Sequence, residues 1–263
     1  MLDFHSHILP NIDDGSRSIE ETINLIKEAR DAGFEGISLT SHYFEGYYET
    51  GKAEREVLLQ ILKEQLKNKG IDINLYLSNE IYLTDNMMQL LIDGKASTIN
   101  DSSYVLFELP LNATTEPMNM YNVVYSLQQN KLIPVLAHPE RYACVQKDPN
   151  LVYDWIEQGL LMQSNYCSIL GRYGKKAQFI VKKLLENDMV HFLGSDVHQQ
   201  DTLYKKIPIA IKEIKNIIGE EKFNKISTIN PELAVSNRRI DIDSPKEIEI
   251  TFKEKIELAF TNK

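Results

Sequence analysis

The feature that most constrains the fold of this chain is the alternation of short apolar runs with longer helical patterns. Seven runs of four to six residues are rich in the β-branched and apolar side chains typical of buried strands. These runs are at 2–5, 36–40, 73–78, 104–107, 132–137, 160–164 and 190–194. Between them, apolar residues recur with a period near ~3.6, which predicts helices. The predicted helices are at roughly 18–32, 52–69, 85–93, 118–130, 149–158, 174–187 and 203–218.

Strands that alternate with helices in this way form a parallel sheet with right-handed crossovers. The sequence therefore predicts an α/β fold, in which seven strand–helix units either close into a barrel or remain an open, doubly wound sheet. Residues that start and stop helices support the assignment. Ser18 and Glu21 have the spacing of a capping box, Gly33 and Gly70 follow helix ends, and Pro149 suits a first helical turn.

The length of 263 residues fits a single domain of α/β-barrel size. We expect one domain over 1–263, with the barrel in about 1–240 and a charged tail in 241–263. No internal repeat or linker divides the chain. From Pro231 onward we expect a short helix and then one strand at 247–252 on the exterior of the barrel.

Composition narrows the function classes. No apolar run approaches the ~18 residues of a membrane span, and the first residues lack the pattern of a signal peptide. The two cysteines are too few for a disulfide framework, so we expect a reducing compartment, the cytoplasm. A formal charge of −9 with no basic stripe argues against a nucleic-acid partner.

The histidines and selected acids are concentrated at the predicted strand ends. Five of the six histidines lie at or just past the C-terminal end of a strand, and only His191 lies within one. In a βα barrel the active site is built on that face. The candidate ligands at these positions are His5, His7, His42, Glu80, Glu108, His138, Asp196 and His198, and one carboxylate of the adjacent pair Asp13-Asp14, a few residues after His7, makes a ninth.

Imidazole and carboxylate without thiolate suit Mn²⁺, Zn²⁺ or Fe²⁺, and carboxylates can bridge ions a few ångströms apart. Nine side chains are too many for one ion that takes about four to six ligands. This set therefore predicts a centre of two or three ions.

With these residues in place, the chain resembles the PHP (polymerase and histidinol phosphatase) superfamily. Within it, the chain is most similar to the capsule-associated bacterial tyrosine phosphatases of the CpsB/YwqE type, over residues 1 to about 240. The motifs that carry the resemblance are Asp3-Phe4-His5-Ser6-His7-Ile8-Leu9-Pro10, Ile12-Asp13-Asp14-Gly15, Thr40-Ser41-His42-Tyr43, Asn79-Glu80, Phe107-Glu108-Leu109-Pro110, His138-Pro139-Glu140-Arg141-Tyr142, Gly171-Arg172-Tyr173-Gly174 and Ser195-Asp196-Val197-His198.

The resemblance implies a distorted (βα)7, TIM-like barrel of the PHP type with three divalent ions. Manganese is the expected metal, with iron, zinc and magnesium as alternatives. By motif, the first ion is held by His5, His7, Glu80 and Asp196. The second is held by Glu80, Glu108 and His138, with Glu80 bridging, and the third by Asp14, His42 and His198. Asp13 stands beside Asp14, so the choice between these two carboxylates stays open.

Four further residues are candidates for contact with substrate. Arg141 is the candidate for a bidentate phosphate contact. The family tends to carry a second arginine beyond the Asp-x-His motif, and this chain has none there, so Lys205 or Lys206 is expected to supply a point charge. Tyr43 begins an aromatic loop on which an aryl group could stack, although such a loop could also simply cover the barrel mouth. His198 is also considered as a proton donor.

The function implied is a cytoplasmic, metal-dependent protein tyrosine phosphatase that uses a metal-activated water, within control of capsule or exopolysaccharide synthesis. The expected partner is a tyrosine-phosphorylated protein, such as a bacterial tyrosine kinase of polysaccharide assembly, without nucleic acid or membrane insertion. A small-molecule phosphomonoesterase, such as a histidinol-phosphate phosphatase, is the enzymatic alternative. A non-catalytic kinase-binding module is the alternative from another class. Cys167 and Arg172 do not have the spacing of a phosphocysteine loop, which disfavours a cysteine nucleophile.

Overall fold

Seven parallel strands in sequential order form one sheet in the computed structural model, which describes residues 1–116, 120–200 and 202–254. All seven predicted strands are confirmed, with ends that differ by a few residues. The strands are β1 (Leu2–Ser6), β2 (Gly36–Tyr43), β3 (Asn74–Tyr82), β4 (Tyr104–Glu108), β5 (Ile133–Ala137), β6 (Leu161–Asn165) and β7 (Phe192–Gly194).

Helices connect consecutive strands and cover the outside of the sheet. They are α1 (Ile19–Asp31), α2 (Lys52–Asn68), α3 (Met87–Ile92), α4 (Met120–Gln129), α5 (Ala143–Lys147), α6 (Asn150–Glu157), α7 (Lys175–Glu186), α8 (Leu203–Asn224) and α9 (Asn230–Val235). The sequence did not predict α5, and α8 extends beyond the expected end at 218. The predicted start of the fourth helix, at 118–119, lies outside the described residues.

Local sequence explains several helix ends. The Ser18 side chain accepts a hydrogen bond from the Glu21 N–H at 3.1 Å, as the capping box predicts. The Glu21 carboxylate, however, accepts from the Arg17 N–H at 2.8 Å, one residue before the cap. Gly219 interrupts α8 with φ +80°, so the last turn of that helix follows a kink. A π-helical turn, Lys225–Ile229, then leads into α9.

The sheet closes almost completely into a barrel, which decides between the two predicted topologies. The His7 N–H donates to the Val197 carbonyl at 2.8 Å, and the Asp196 N–H donates to the His5 carbonyl at 2.8 Å. These bonds join β1 to the segment after β7. Gly194 permits this approach, because a Cβ at that position would lie 2.5 Å from the His5 Cβ.

The barrel interior is apolar at the N-terminal end of the strands. Phe4 and Phe192 stack there with ring centroids 4.1 Å apart. Ala234 and Val235 of α9 pack into the same cluster and close that end of the barrel. The polar side chains that face inward are therefore confined to the opposite, C-terminal mouth.

Two backbone irregularities aim histidines at the mouth where simple alternation would turn them away. Phe4 faces the interior, so the next residue should face outward, but the pairing of β1 with β2 shifts register between Asp3 and Ser6. Such a bulge re-aims side chains, and His5 turns inward. At the end of β5, Ala137 faces the interior, and the following His138 has φ +34° in the left-handed region.

The predicted strand at 247–252 is wrong. Residues 241–251 have no regular secondary structure, and residues 252–254 are helical. A nearly closed barrel offers no free edge for another strand to join. Instead, the Asn150 side chain bonds both the N–H (2.8 Å) and the carbonyl (3.2 Å) of Ile248, whose own side chain is buried in the core. The rest of the predicted tail, 255–263, lies outside the described residues.

Candidate metal centre

The nine candidate ligands come together at the C-terminal mouth of the barrel. Each belongs to at least one of four overlapping groups in which the ligand atoms lie within 4.8 Å of one another. The groups are His7, Asp14, His42 and His198; His5, Glu80 and His138; His5, His7 and Asp196; and His42, Glu80 and Glu108. Residues separated by up to 193 positions in the sequence thus meet because all seven parallel strands end at this mouth, and six of them or the segments that follow supply candidate ligands.

The side chains expected to hold the first ion are His5, His7, Glu80 and Asp196. They surround a position between β1, β3 and the segment after β7. Glu80 Oε2 lies 3.4 Å from both His5 Nε2 and His7 Nε2. Asp196 Oδ1 lies 3.7 Å and 3.6 Å from the same two nitrogens. Ligand atoms held at about 2.1 Å from a tetrahedral ion are about 3.4 Å apart, so this spacing fits a small divalent cation.

The orientation of the two imidazoles strengthens this fit. His5 Nδ1 lies 2.7 Å from Gln163 Oε1, and His7 Nδ1 lies 3.0 Å from Asp13 Oδ2. Both partner oxygens are acceptors, so each Nδ1 carries the proton and each Nε2 presents a lone pair. The two Nε2 atoms are only 2.9 Å apart, which is hydrogen-bond distance, so two facing lone pairs would repel unless a proton or a metal cation lies between them.

The group of side chains expected to hold the second ion, Glu80, Glu108 and His138, centres on the other oxygen of Glu80. Glu80 Oε1 lies 3.0 Å from His138 Nε2, and Glu108 Oε2 lies 3.9 Å from the same nitrogen. His42 Nδ1 also approaches this group, 3.0 Å from Glu80 Oε2 and 3.3 Å from Glu108 Oε1. Glu80 Oε2 and His138 Nδ1 are buried and have no hydrogen-bond partner among the described residues. Three imidazole nitrogens lie within 3.4 Å of Glu80 Oε2, but a buried carboxylate oxygen that accepts no hydrogen bond is costly, which favours a cation here.

The surroundings of the third expected ion show which of Asp13 and Asp14 is placed as a ligand beside His42 and His198. Asp14 Oδ1 lies 3.6 Å from His42 Nε2 and 3.5 Å from His198 Nε2, and its side chain is 52% exposed. Asp13 is fully buried and accepts hydrogen bonds from His7, the His42 N–H and the Gly15 N–H. The geometry therefore favours Asp14 as the ligand and Asp13 as the residue that orients His7.

The electrostatics of the mouth favour positive charge. Burial opposes protonation of His5 and His7, but Glu80 and Asp196 raise the pKa of His5, and Asp13 and Glu80 raise the pKa of His7 to about 9. Although burial acts in the opposite direction, His5 and His42 hold the pKa of Glu80 well below its usual range. A field that attracts protons so strongly also attracts divalent cations.

Arg141 lies beside Asp196, and two side-chain contacts hold its guanidinium. Its Nη1 donates to Asp196 Oδ2 at 2.6 Å, and its guanidinium lies 4.4 Å from the centre of the Tyr173 ring. The same carboxylate oxygen accepts from Asn165 Nδ2 at 2.8 Å and from the Tyr173 hydroxyl at 3.3 Å. Asp196 therefore connects Arg141 to the candidate ligands through its second oxygen.

A cleft of about 400 Å³, here called the central cleft, opens over these groups. It is lined by seven of the nine candidate ligands, by Tyr82 and Arg141, and by residues 109–112. The expected substrate contacts Tyr43, Lys205 and Lys206 are not among the residues that line it. Tyr43 is 4% exposed in the hydrophobic core, and Lys205 pairs with Glu28 at 3.2 Å on the exposed side of α8.

The alternation of β2 and β3 explains the outcome for Tyr43. His42 faces the mouth, so the next residue on the strand faces the surrounding helices and is buried there. On β3, Tyr82 stands two residues after Glu80 and so shares its face. Tyr82 was not identified from the sequence, although this spacing of two from Glu80 is a signal that could have identified it.

Other residues of the site were not identified from the sequence. Gln163 and Asn165 of β6 and Tyr173 of the following loop orient His5, Asp196 and Arg141. Leu161, Gln163 and Asn165 alternate along β6, which predicts that all three face the barrel interior. Neutral amides are not preferred metal ligands, so Gln163 and Asn165 were not selected from the sequence.

The remaining reactive residues lie away from the mouth. Both cysteines, Cys144 and Cys167, are buried and not joined in a disulfide, and neither lines the central cleft. His191 lies just before β7, where its Nδ1 accepts a hydrogen bond from the Met162 N–H at 3.0 Å. Both observations agree with a structural role for these residues.

A nearly closed, seven-stranded βα barrel with imidazoles and carboxylates converging at its C-terminal mouth defines the class of barrel proteins built around a metal centre. The chain belongs to the family described as "Capsular polysaccharide synthesis, CpsB/CapC", whose model matches residues 1–236.

Two relatives cover nearly the whole chain. The tyrosine-protein phosphatase YwqE of Bacillus subtilis (strain 168) is 29% identical over 248 residues, which are 94% of this chain and 96% of that protein. The tyrosine-protein phosphatase CpsB of Streptococcus pneumoniae is 30% identical over 246 residues, covering 91% of this chain and 100% of that protein.

Solved structures agree with this assignment. A structure reported with YwqE from Bacillus subtilis and CpsB from Streptococcus pneumoniae, described as metal-dependent tyrosine phosphatases, has a TM-score of 0.89 and 29% identity. It covers 95% of this chain and 100% of the other. Histidinol phosphate phosphatase from Lactococcus lactis has a TM-score of 0.52 at 16% identity, covers 86% of this chain and 94% of the other, and shares the fold alone.

Proposed function

We propose that this protein is a metal-dependent protein tyrosine phosphatase, which hydrolyses phosphotyrosine with a metal-activated water. The observation that carries the proposal is the convergence of nine imidazole and carboxylate side chains on one mouth, with Arg141 beside them. The relatives named tyrosine-protein phosphatase, aligned over nearly the whole chain, support the choice of substrate.

The centre would hold three divalent ions, and manganese is the metal we expect, with iron, zinc and magnesium as alternatives. His5, His7, Glu80 and Asp196 would hold the first ion; Glu80, Glu108 and His138 would hold the second; and Asp14, His42 and His198 would hold the third. Four carboxylates in so small a volume, with both Glu80 oxygens directed at different imidazoles, support more than one cation. The absence of thiolate from the donor set supports a metal that binds imidazole and carboxylate.

Bound divalent ions supply the Lewis acidity that lowers the pKa of water and neutralises phosphoryl oxygens. The chain itself supplies orientation and charge. Arg141 has one N–H committed to Asp196, which leaves the remaining guanidinium donors to bind phosphate in the central cleft. Burial and the neighbouring His7 lower the pKa of His198 to about 4, so its imidazole is neutral near pH 7. This disfavours His198 as a proton donor and favours it as a ligand.

The proposed partner is a tyrosine-phosphorylated protein, such as a tyrosine kinase of capsule or exopolysaccharide assembly; the description of the family supports this setting. We infer a cytoplasmic location because the two buried cysteines are not joined in a disulfide. None of the helices in 1–116, 120–200 and 202–254 has the length and apolarity to span a bilayer. We also infer one catalytic domain, with the barrel in about 1–240.

The test couples metal content to turnover. The protein is treated with a chelator, its metals are measured by elemental analysis, and activity on a phosphotyrosine peptide is followed as Mn²⁺ is restored. Glu108→Gln and His138→Ala should each lower kcat by at least about a hundredfold and reduce bound metal, because each removes a ligand of the second ion. Glu157→Gln, an exposed carboxylate on α6, is the matched control.

Comparison with histidinol phosphate as substrate separates the proposal from the small-molecule alternative. Faster turnover of histidinol phosphate than of the peptide would contradict the choice of substrate. Absence of metal-dependent phosphate release from either substrate would favour a non-catalytic, kinase-binding module.

A further inference from the structure

Tyr82 is the aromatic side chain that lines the central cleft alongside the candidate ligands. It is the last residue of β3, two positions after Glu80, so the two side chains share one face of the strand. In the sheet it pairs in register with Glu108 of β4. The Tyr82 ring is therefore fixed by a strand rather than carried on a loop, at the boundary between the metal ligands and the opening of the cleft.

Two further rings stack behind Tyr82 and form a column that leads outward. The ring centroids of Phe44 and Tyr82 are 4.2 Å apart with planes 23° from parallel. Those of Phe44 and Tyr47 are 4.5 Å apart with planes 19° from parallel. Tyr47, at the outer end, is 75% exposed. We call Tyr82, Phe44 and Tyr47 the aromatic column.

The loop that carries the outer rings has a defined shape. The Phe44 N–H donates to the Tyr48 carbonyl at 2.9 Å, and the Phe44 carbonyl accepts from the N–H groups of Tyr47 and Tyr48 at 2.9 Å and 2.8 Å. The Phe44 ring is thus held against Tyr82 by a closed turn. A supported ring loses little conformational entropy when a ligand packs against it.

The hydroxyl of Tyr82 also differs from those of two buried tyrosines of the barrel. Tyr142 donates to the Ala137 carbonyl at 2.8 Å, and Tyr204 donates to Asp3 at 2.9 Å. The Tyr82 hydroxyl makes no hydrogen bond with any residue in the described part of the chain. No hydrogen bond from its hydroxyl therefore fixes the Tyr82 ring to the barrel interior, although the ring lines the central cleft.

We propose that Tyr82, supported by the aromatic column, is the surface against which the phenyl ring of phosphotyrosine packs while Arg141 and the metal centre hold the phosphate. This inference rests on the proposed function and identifies the residue that makes the site prefer aryl over alkyl phosphate monoesters. Aromatic pairs stack in offset or edge-to-face geometry, and an alkyl ester has no ring to make such a contact.

The test measures binding with probes that cannot be hydrolysed, so differences in leaving group do not enter. Dissociation constants of phenylphosphonate and methylphosphonate are measured by calorimetry on the manganese-loaded protein. Tyr82→Leu should weaken phenylphosphonate roughly two- to tenfold and leave methylphosphonate unchanged, because only the ring contact is removed. Tyr82→Phe keeps the ring and should restore the affinity for phenylphosphonate.

Tyr121→Leu is the matched control, because Tyr121 is an exposed tyrosine on α4 outside the cleft. Phe44→Leu, which removes the support but leaves Tyr82, should give an intermediate loss and serves as a second variant if Tyr82→Leu does not fold. Equal weakening of both phosphonates, or no weakening of either, overturns the inference. Failure of the wild-type protein to hydrolyse a phosphotyrosine peptide would instead overturn the proposed function, so the two failures are distinguishable.

Discussion

At the scale of single residues, the candidate centre depends on side chains that hold the imidazoles in one tautomer. His5 and His7 each donate from Nδ1 to an oxygen acceptor, Gln163 and Asp13 respectively. His198 Nδ1 lies 3.1 Å from the Asp196 carbonyl and is held in the same way. All three rings therefore present Nε2 to the mouth, and their orientation is fixed before any ion binds.

The first prediction concerns Gln163. Gln163→Leu removes the acceptor for His5 Nδ1–H, so the ring loses both its fixed tautomer and its orientation. We expect metal affinity to fall about ten- to a hundredfold, as is usual for such outer partners. Competition with a chromophoric chelator measures the affinity. Gln163→Glu keeps an acceptor for His5 and should retain more of the affinity; equal affinity in Gln163→Leu and wild type would show that the orientation of His5 does not depend on this contact.

A second prediction at this scale concerns stability as a function of pH. Burial lowers the pKa of His191 to about 4, with Lys225 acting in the same direction and Asp243 against it. In the unfolded chain the pKa of histidine is near 6.5, so between pH 6.5 and 4 the unfolded state binds a proton that the folded state does not. The stability is therefore undiminished above pH 6.5 and falls as the pH drops through this window, by roughly 3 kcal/mol.

Urea unfolding of wild type and His191→Gln at several pH values checks this expectation. The glutamine can still accept from the Met162 N–H but cannot titrate. The variant should lose less stability than wild type between pH 6.5 and 4, whereas the histidines at the mouth contribute equally to both proteins. Identical pH profiles would exclude His191 as the cause.

At the scale of elements, the periodicity of the sequence predicted the strands and most of the helices. It did not predict the local backbone irregularities that interrupt the periodicity. All seven strands followed from apolar runs, and the nine candidate ligands followed from their positions at strand ends. The bulge in β1 and the left-handed backbone of His138 could not be predicted from alternation. Both depend on how the barrel closes and on the orientation of histidines toward its mouth, which are properties of the tertiary structure. Tyr43 was misplaced for a related reason, since its neighbour His42 already occupied the inward position.

In the C-terminal segment, the sequence has the alternating pattern of a strand, but the strand predicted from it does not form. Ile248, Ile250 and Phe252 alternate as in a strand, yet no sheet edge is available to them. The segment is attached instead by side chains of the helices, above all by Asn150. Local periodicity alone contains no information about whether a partner strand exists.

This attachment gives a prediction about Asn150. Asn150→Ala removes both hydrogen bonds to the backbone of Ile248, and we expect the free energy of unfolding to fall by about 1–2 kcal/mol. Limited proteolysis should cut between residues 241 and 254 faster than in wild type. Asn130→Ala removes one hydrogen bond, to the Ser126 carbonyl within its own helix, and should change stability by less than about 0.5 kcal/mol. Unaltered proteolysis of Asn150→Ala would mean that the burial of Ile248 suffices to hold the segment.

At the scale of the whole molecule, the proposed ions act as cross-links between strands. The candidate ligands lie on β1, β2, β3 and β4 or in the segments that follow β1, β5 and β7, and β6 contributes Gln163 and Asn165 as orienting residues. Without cations, four carboxylates line the central cleft, and among the described residues that line it Arg141 alone supplies a permanent positive charge. The energy of metal binding is therefore coupled to the closure of the barrel.

The last prediction follows from this coupling. An ion that binds only the folded state stabilises it by about 2.7 kcal/mol when its concentration is a hundredfold above Kd. For a domain of this size, such a change corresponds to a melting temperature higher by roughly 5–10 °C. We therefore expect chelation to lower the melting temperature by at least this amount and Mn²⁺ to restore it, as measured by differential scanning calorimetry. In Glu80→Gln the increase on adding Mn²⁺ should be smaller, because the bridging carboxylate contacts both the first and the second ion, whereas Glu157→Gln should respond as wild type does. A melting temperature that stays constant while elemental analysis shows complete loss of metal would mean that the mouth is rigid without ions, and that the strands rather than the cations hold the ligands together.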